Sequence, residues 1–418
     1  MVYRDDWQNY VFSDAIQINP RETLSKGTIC KKVGMADIQE KEKNIKNYCL
    51  EEYKSGAKFR QGDTLFARIT PCLENGKISK VNILEDDEIG FGSTEFIVMR
   101  SRPGITDSEF VYYLSLWEEV REPAIKSMTG TSGRQRVQNS IFDQLIIKLP
   151  RLDEQVNIGY FLSLFDKKIE NNNKIIANLE TQAQAIFNSW FVNFEPFQDG
   201  QFVESELGMI PEGWEVGKLG NSSLGKLLSS GINDFENQKI YLATADVTDS
   251  NITNYETKIT MEDKPSRANM QPIKNSVWFA KMKDSRKLIY VGANDDFLVD
   301  EVIFSTGFAG IKAVESSVHY LWTYLLTEDF NTKKNLLSNG TTMQAINNTN
   351  INRIKIVIPK NNVLEDFNGL VKPMFELISS YKNQNLKLAQ IRDTLLPKLM
   401  SGEIRVGQDD IEEIENLL

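Results

Sequence analysis

The stretch that comes closest to a nucleotide-binding motif is GNSSLGKL, residues 220–227 of the 418-residue chain. A phosphate-binding loop follows the pattern G-x-x-x-x-G-K with Ser or Thr, whose hydroxyl binds the magnesium ion of the nucleotide. Leu227 occupies that position here, so the metal would lack a ligand. A second glycine pair, GFGS at 90–93, is a single G-x-G and carries almost no information. Neither stretch predicts a nucleotide site.

Side chains that could perform acid–base, nucleophilic or metal chemistry are few and scattered. His319 is the only histidine, and its neighbours in SSVHYLWTY favour packing over catalysis. Cys30, Cys49 and Cys72 are never in C-x-x-C spacing, whereas a zinc site needs three or four Cys or His ligands close together. The carboxylates of EDDE, residues 85–88, indicate a solvated turn. We therefore predict a binding protein that is not an enzyme and has no catalytic residue and no metal.

The sequence contains two copies of one whole domain. FDQLIIKLP (142–150) and INRIKIVIP (351–359) place apolar residues in the same pattern before a proline, 209 positions apart. FARI (66–69) and FAKM (279–282) repeat at an offset of 213. Offsets that stay this similar in chain order indicate one duplication, because solenoid repeats recur every ~20–50 residues.

Each copy has the pattern of an α+β domain. Runs such as KISKVNIL (77–84) and GSTEFIVMR (92–100) alternate like strands, and DSEFVYYLSLWEEVREPAIKSM (107–128) is typical of a helix. The two predicted domains are residues 1–150 and 211–359. They hold almost none of the net charge of −10, since residues 1–150 have 21 Lys and Arg against 22 Asp and Glu, and residues 211–357 have 16 against 17. A basic face within a near-neutral domain is therefore not excluded.

A long helix with the pattern of a coiled coil follows each domain, at 151–192 and 360–402. Mostly apolar residues recur at intervals of three and four, which is the 3.5-residue period of paired helices. Each series contains one amide side chain that would fix the register between the two helices. We predict that the two helices pair antiparallel. The residues predicted to face each other are Leu162, Phe165, Ile169, Asn172, Ile176 and Leu179 in the first helix, and Met374, Leu377, Tyr381, Gln384, Leu388 and Ile391 in the second.

The remaining segments are predicted to be a linker and a tail. Residues 193–210 belong to a stretch rich in Pro and Gly and indicate a linker, and the acidic end, residues 403–418, indicates a solvated and only partly ordered tail. No apolar run approaches the ~18 residues of a membrane span, and the first residues lack the plan of a secretory signal. We therefore expect a cytoplasmic protein with no membrane partner.

Two similar domains on antiparallel helices would be related by a pseudo-two-fold axis, as are the half-sites of a DNA site. Because the domains differ in sequence, the half-sites should differ, which predicts an asymmetric bipartite site. Loop-like Gly, Thr and Ser beside Lys, Arg and Gln mark positions that could reach phosphates and base edges. The predicted DNA contacts are Arg68, Lys77, Arg134, Gln135 and Arg136 in the first copy, and Lys281, Lys283, Arg286, Lys287 and Gln344 in the second.

Five stretches lie at the ends of the two helices and within the domains: LPRLDEQ (149–155), AIFNSWFVNFEPF (185–197), QIRDTLLPKLMSGEI (390–404), FARITPCLENGK (66–77) and GFGSTEFIVMR (90–100). In these stretches, and over nearly its whole length, the chain resembles the specificity subunits of type I restriction-modification enzymes. The second copy departs from the first at VLEDF (363–367), which lacks the DEQ triplet. The fold that the resemblance implies is two tandem α+β target recognition domains separated by two long helices that pair as an antiparallel coiled coil.

The resemblance also implies a function. A specificity subunit would bind double-stranded DNA without catalysing a reaction, recruit two methyltransferase subunits through its helices and linkers, and support restriction once restriction–translocase subunits join. S-adenosylmethionine, ATP and magnesium would then belong to the partner subunits, and this chain would hold no cofactor. Two alternatives stay open: a coiled-coil scaffold with two protein-binding modules, which a DNA gel shift would separate, and a self-contained enzyme, against which the single histidine argues.

Overall fold

The structure is a computed structural model, and it describes residues 6–131, 133–340 and 343–418. It divides into two compact units, one of residues 1–173 and 382–418 and the other of residues 174–381. Each unit therefore combines one α+β domain with one end of each long helix.

The first domain is built from short strands and a pair of helices. Its elements are β1 (Gln8–Val11), α1 (Phe12–Ala15), β2 (Ile16–Ile18), β3 (Ile29–Val33), β4 (Cys49–Glu52), β5 (Ala57–Phe59), β6 (Thr64–Ala67), β7 (Ile78–Lys80), β8 (Gly90–Gly92), β9 (Phe96–Ser101), α2 (Ser108–Leu116), α3 (Glu118–Lys126), a 3₁₀ turn (Asn139–Ile141) and β10 (Ile146–Leu149). One sheet has the order β2-β9-β6-β7 and another the order β4-β3-β8-β5, in which β3 and β8 run parallel. Strands β1 and β10 pair antiparallel and join the two ends of the domain.

The first long helix and a short hairpin connect the two domains. Helix α4 (Leu152–Phe187) continues into a π-helical turn (Asn188–Val192), a 3₁₀ turn (Glu195–Phe197) and the hairpin of β11 (Phe202–Ser205) and β12 (Gly208–Pro211). The Phe197 ring lies 6.0 Å from Trp190 and 5.0 Å from Trp214 between ring centroids. The segment predicted as a linker is thus largely regular structure, because aromatic side chains anchor it at both ends.

The second domain repeats these elements with additional short strands. They are β13 (Glu215–Lys218), β14 (Asn221–Ser222), β15 (Gly225–Leu227), β16 (Lys239–Leu242), a 3₁₀ turn (Thr244–Asp246), β17 (Val247–Thr248), β18 (Asn251–Ile252), β19 (Lys258–Ile259), β20 (Ala268–Met270), β21 (Ser276–Ala280), β22 (Leu288–Val291), α5 (Asp296–Glu301), β23 (Val302–Ser305), β24 (Phe308–Ala313), a 3₁₀ turn (Glu315–Ser317), α6 (Val318–Leu325), α7 (Glu328–Leu336), α8 (Asn348–Ile351) and β25 (Lys355–Ile358).

Strand order shows that the two domains have the same topology. The run β22-β21-β24-β15 repeats β7-β6-β9-β2, and β19-β16-β23-β20 repeats β4-β3-β8-β5, including the parallel pair of β16 and β23. The central strands β6 (TLFA) and β21 (SVWFA) are buried throughout. Their alternate residues enter different cores, since Phe66 packs with the helices and Leu65 packs with the second sheet. The predicted duplication of an α+β domain is confirmed.

The second long helix, α9 (Asn361–Met400), runs antiparallel to α4 within each unit. In the first unit, Asn172 Nδ2 donates to Gln384 Oε1 and to Asn385 Oδ1, both at 2.8 Å. In the second unit, the ring of Phe367 lies 4.9 Å from that of Phe191. Residue numbers thus rise along one helix as they fall along the other, which confirms the antiparallel pairing. The two amides that the sequence placed at the same step bond to each other.

The buried face of α9 differs from the one predicted. Leu377 and Ile391 are 49% and 46% exposed, whereas the next residues, Ile378 and Arg392, are buried. In the second unit Ile378 packs in the core, and in the first unit Arg392 donates to Asp166 of α4, so at both places the residue after the predicted one is buried. Of the other predicted residues, those that are buried or packed against a core are Leu162, Phe165, Ile169, Asn172, Ile176, Leu179, Met374, Tyr381 and Leu388, and Gln384 is exposed with its amide bonded to Asn172.

The acidic C-terminus forms a helix, α10 (Gln408–Leu417), where the sequence predicted a solvated tail. Ile411 is 3% exposed, and Ile414 and Leu418 pack against the core of the first unit. Tyr160 of α4 donates a hydrogen bond to Glu415. Ile411, Ile414 and Leu418 are spaced three and four residues apart and form an apolar stripe. This stripe packs the helix against the core although most of its other residues are acidic or polar.

Candidate nucleic-acid interface

The predicted DNA contacts of the first domain lie on two adjoining segments, the loop 68–77 after β6 and the segment 129–138 after α3. We call them the first loop pair. The Arg68 carbonyl accepts a hydrogen bond from Val137 N (2.8 Å), and Thr70 N donates to the Gln135 carbonyl (3.0 Å). Main-chain pairing therefore brings residues from two distant parts of the sequence to one surface.

Arg68 and Lys77 are only partly available for a ligand. Arg68 Nη2 donates to the Val137 carbonyl at 2.8 Å, and its buried Nε has no partner among the described residues. Lys77 Nζ donates to the Met35 carbonyl at 3.1 Å. Arg68 joins the two segments of the loop pair, and Lys77 ties the first segment to the loop at Met35, so their effect on a ligand is partly through the shape of the loops.

The segment 129–138 presents two exposed cations, Arg134 and Arg136. Arg134 is exposed, and Gln135 is half-buried with its main chain paired to Thr70. Arg136 is exposed and makes a two-pronged ion pair with Glu95: Nε donates to both carboxylate oxygens at 2.9 Å, and Nη2 donates to Oε1 at 2.6 Å. This pair holds the pKa of Glu95 below its ordinary value, so the carboxylate stays charged.

The second domain has the same arrangement in its described residues, which we call the second loop pair (281–287, 339–340 and 343–347). The Lys281 carbonyl accepts from Ile346 N (2.9 Å), and Lys283 N donates to the Gln344 carbonyl (2.9 Å). Gln344 is exposed and corresponds to Gln135, 209 residues earlier. The structure therefore brings Lys281, Lys283 and Gln344 together, as it does their counterparts.

The other two predicted contacts of the second domain are engaged by neighbouring residues. Arg286 is exposed and pairs with Glu328 at 2.7 Å. Lys287 Nζ donates to the Thr244 carbonyl at 2.7 Å. Lys287 thus repeats the bond that Lys77 makes to the Met35 carbonyl, and both lysines lie where a loop of the second sheet reaches the loop pair. Their geometry identifies them as residues that hold these loops.

A cation of the helix layer supports each loop pair, half-buried in the first domain and buried in the second. Arg121 of α3 donates to the carbonyls of Leu73 and Glu74, both at 3.3 Å. Lys334 of α7, 213 residues later, donates to the carbonyls of Met282 (3.3 Å) and Ser285. Burial lowers the pKa of both groups, that of Lys334 to about 8. The repeat offset would not have identified this pair, because helices α3 and α7 begin 210 residues apart and that offset aligns Arg121 with Asn331.

The residues that the sequence offered for catalysis or nucleotide binding are engaged in contacts that stabilise the fold. His319 Nε2 lies 2.9 Å from the Tyr290 hydroxyl, its Nδ1 contacts Asn368, and burial lowers its pKa. Asn221–Leu227 of GNSSLGKL form a tight hairpin, not a loop that leads into a helix. Among the described residues, no group of three or more His, Cys, Asp or Glu side chains could hold a metal ion. None of the described helices is long and apolar enough to cross a membrane.

Comparison with known proteins assigns this architecture to a family. The type I restriction modification DNA specificity domain matches residues 4–181. The type I restriction enzyme MjaIX specificity subunit of Methanocaldococcus jannaschii is 32% identical over 315 residues, covering 72% of this chain and 70% of that protein. The chain belongs to the type I restriction enzyme specificity subunits. The HindI specificity subunit of Haemophilus influenzae is 26% identical over 408 residues, covering 82% of this chain and 87% of that protein.

A solved structure supports the fold of this specificity subunit. The crystal structure of a type I restriction-modification system S subunit from M. genitalium superposes with a TM-score of 0.51 at 16% sequence identity. The match covers 96% of this chain and 98% of that chain. At this identity the likeness concerns the fold, which is the predicted α+β fold with long paired helices.

The two loop pairs of the specificity subunit differ in charge where their backbones correspond. Arg68 N donates to the Glu95 carbonyl (2.9 Å), and Lys281 N donates to the Gly307 carbonyl (2.9 Å), so Glu95 and Gly307 are equivalent. Burial lowers the pKa of Lys281, and the positive charge of Arg267 lowers it further. The first loop pair thus has a carboxylate among its cations, and the second has glycine there. Sequence reasoning missed Glu95, although STEF (93–96) against STGF (305–308) contains the difference.

Proposed function

We propose that this specificity subunit binds double-stranded DNA and that each domain reads one half of an asymmetric bipartite site through its loop pair. The observation that carries the proposal is a repeated backbone with unlike side chains. Arg68 corresponds to Lys281 and Glu95 to Gly307, whereas the main-chain pairing beneath them is the same. A common scaffold with different donors and acceptors is suited to reading two different base sequences, because base edges are distinguished by hydrogen-bond pattern.

The long helices would set the spacer between the half-sites and dock two methyltransferase subunits. Helices α4 and α9 have 36 and 40 residues, and at ~1.5 Å per residue each is longer than one ~34 Å turn of DNA. Leu370, Leu377 and Ile391 are about half exposed and lie at multiples of seven along α9. Exposed apolar residues at heptad spacing are typical of a helix that packs against another helix, here one from a partner subunit.

The subunit would contribute recognition, and its partners would contribute the chemistry. Methyl transfer would use S-adenosylmethionine in the methyltransferase subunits, and restriction would use ATP and magnesium in restriction–translocase subunits that join the complex. The buried surroundings of His319 and the hairpin at Asn221–Leu227 support this division. The target bases depend on side-chain geometry in the loop pairs.

Reversing the two exposed cations of segment 129–138 tests the assignment of the first loop pair. We expect the double variant Arg134→Glu and Arg136→Glu to bind the cognate duplex at least about tenfold more weakly, because two phosphate-facing or base-facing cations become anions. The measurement is a gel-shift or fluorescence titration at fixed salt with the subunit in its methyltransferase complex. Duplexes altered in one half-site at a time show which half is lost.

The matched control reverses Lys46 and Lys126, which are exposed and pair with Glu42 and Glu122 on the same domain. It changes the net charge by the same amount and should leave both half-sites intact. Unchanged affinity in the Arg134 and Arg136 variant would refute the assignment of this loop pair. A wild-type complex that shifts no DNA even at low salt would refute DNA binding and favour a protein scaffold.

A further inference from the structure

The Glu95–Arg136 pair is an exposed ion pair with unusually complete geometry. The side chains of Arg136 and Glu95 are 45% and 22% exposed, and three hydrogen bonds of 2.6–2.9 Å join them. Ion pairs this exposed contribute little to stability, because water and salt screen them. The main consequence of the pair is therefore the orientation that it imposes on the guanidinium.

Both ends of the pair are fixed by the main chain. Glu95 N donates to Ser93 Oγ (3.1 Å), and the Glu95 carbonyl accepts from Arg68 N (2.9 Å). Arg136 exchanges two main-chain hydrogen bonds with Thr129, at 2.9 and 3.1 Å. A guanidinium held between such supports loses little conformational freedom when it binds a ligand, and preorganisation of this kind raises specificity.

The pair leaves one edge of the guanidinium free. An arginine has five N–H donors, and Glu95 takes Nε and one hydrogen of Nη2. Within the described residues, no acceptor bonds to Nη1. The Nη1 and Nη2 hydrogens that point away from Glu95 form a two-pronged donor, which matches the O6 and N7 acceptors of guanine in the major groove.

The carboxylate favours a base edge over a phosphate. A phosphate placed against Arg136 would also meet the negative charge of Glu95, whose pKa the pair keeps low. The acceptors of guanine carry no net charge and avoid this repulsion. We infer that Glu95 is a positioning residue that aims Arg136 at a guanine of the first half-site. This inference rests on the proposed DNA-binding function and adds the base and the residue that reads it.

The second loop pair provides an internal comparison. Ala345 takes the place of Arg136, since Met282 bridges to Ala345 as Ile69 bridges to Arg136, and Gly307 takes the place of Glu95. A Cβ at Gly307 would lie 2.9 Å from Thr244 Cγ2, so any side chain at this position would require Thr244 to shift. The guanine preference at this point of the backbone therefore belongs to the first domain alone.

Selection from randomised duplexes tests the inference, using the full chain with its methyltransferase subunits. We expect the wild type to select a bipartite site with a guanine in the half-site that the Arg134 and Arg136 reversal weakens. Glu95→Gln should reduce the preference for that guanine by roughly tenfold or more and leave the other half-site unchanged. Arg136→Lys keeps the charge but loses the two-pronged donor, so it should reduce the same preference.

Glu88→Gln is the control, because it breaks a pair of similar exposure, to Lys31 at 2.8 Å, in the same domain. It should leave every position of the site unchanged. If the wild type selects a bipartite site and Glu95→Gln leaves the base preferences unchanged or weakens all sequences equally, the inference is overturned. If the wild type selects no sequence at all, the proposed function itself fails.

Discussion

Lengthening both long helices by four residues is expected to lengthen the spacer between the half-sites by one or two base pairs and to leave the half-sites themselves unchanged. The insertions, of four helix-favouring residues each, lie between Lys174 and Ile175 and between Lys382 and Asn383. These points face each other, because Asn172 bonds to Gln384 and Asn385, and they adjoin the boundary between the two units. Four residues add ~6 Å of helix, and one base pair adds ~3.4 Å.

The expected cost of the insertion is a loss of affinity and some stability. Four residues rotate the helix by about 40° beyond a full turn, whereas two base pairs rotate DNA by roughly 70°. The seam register also shifts, which locally unwinds the pairing. Mapping of methylated positions across the genome of cells that carry the variant measures the spacer directly.

A control insertion separates helix length from chain length. Four residues placed between Glu206 and Leu207, in the turn of the β11–β12 hairpin, lengthen the connection but neither helix. The spacer should then stay as in the wild type. A folded helix variant that modifies DNA with an unchanged spacer would show that the helices do not set the distance, and a longer spacer in the hairpin variant would assign that role to the connection.

Much of the fold was predictable because its strongest constraints are periodic. The repeat offset predicted two copies of one topology, and heptad spacing predicted two paired helices with one amide in each series, Asn172 and Gln384. The register failed at Leu377 and Ile391, since the period of a helix defines a stripe, but tertiary contacts such as those of Ile378 and Arg392 decide which residues at its edges are buried. Tertiary contacts of this kind leave no periodic mark in the sequence.

The sequence predicted which loops form the candidate site, but not which way their side chains point. Both loop pairs were found from Gly, Thr and basic residues at repeated positions. The direction of each cation depends on acceptors far away in sequence: Lys77 meets a carbonyl 42 residues earlier, and Arg136 meets a carboxylate 41 residues earlier. Composition identifies such cations, but only the folded chain shows which of them are already engaged.

A buried ion pair in the first unit joins three elements and has no counterpart among the described residues of the second unit. Arg392 of α9 donates to Asp166 of α4, and Tyr113 of α2 donates to the other oxygen of the same carboxylate. Arg392 also donates to Asp393 at 2.7 and 2.9 Å. Although burial opposes its charge, these carboxylates hold the pKa of Arg392 above its ordinary value, so the guanidinium stays ionised. At the position of Asp166 the second copy has Ile378, which is apolar and buried.

Removal of one partner should therefore be far more harmful than removal of both. We expect Asp166→Ala to lower the free energy of unfolding of the first unit by about 3–5 kcal/mol, because Arg392 would remain buried with its charge unpaired by α4. The melting temperature should fall by roughly 10 °C, as measured by differential scanning calorimetry or thermal shift. The exposed pair of Glu122 and Lys126 is the control, and Glu122→Ala should cause no measurable change.

The double variant Asp166→Leu and Arg392→Met distinguishes a contribution of charge pairing from one of packing. It should recover most of the lost stability, because apolar side chains of similar volume carry no charge that must be removed from water. The second copy already has an apolar, buried residue at this position, Ile378. If the double variant is as unstable as Asp166→Ala, shape complementarity rather than charge pairing holds α2, α4 and α9 together. If Asp166→Ala is as stable as the wild type, Asp393 alone is sufficient to satisfy the guanidinium, and the bond between Arg392 and Asp166 does not stabilise the first unit.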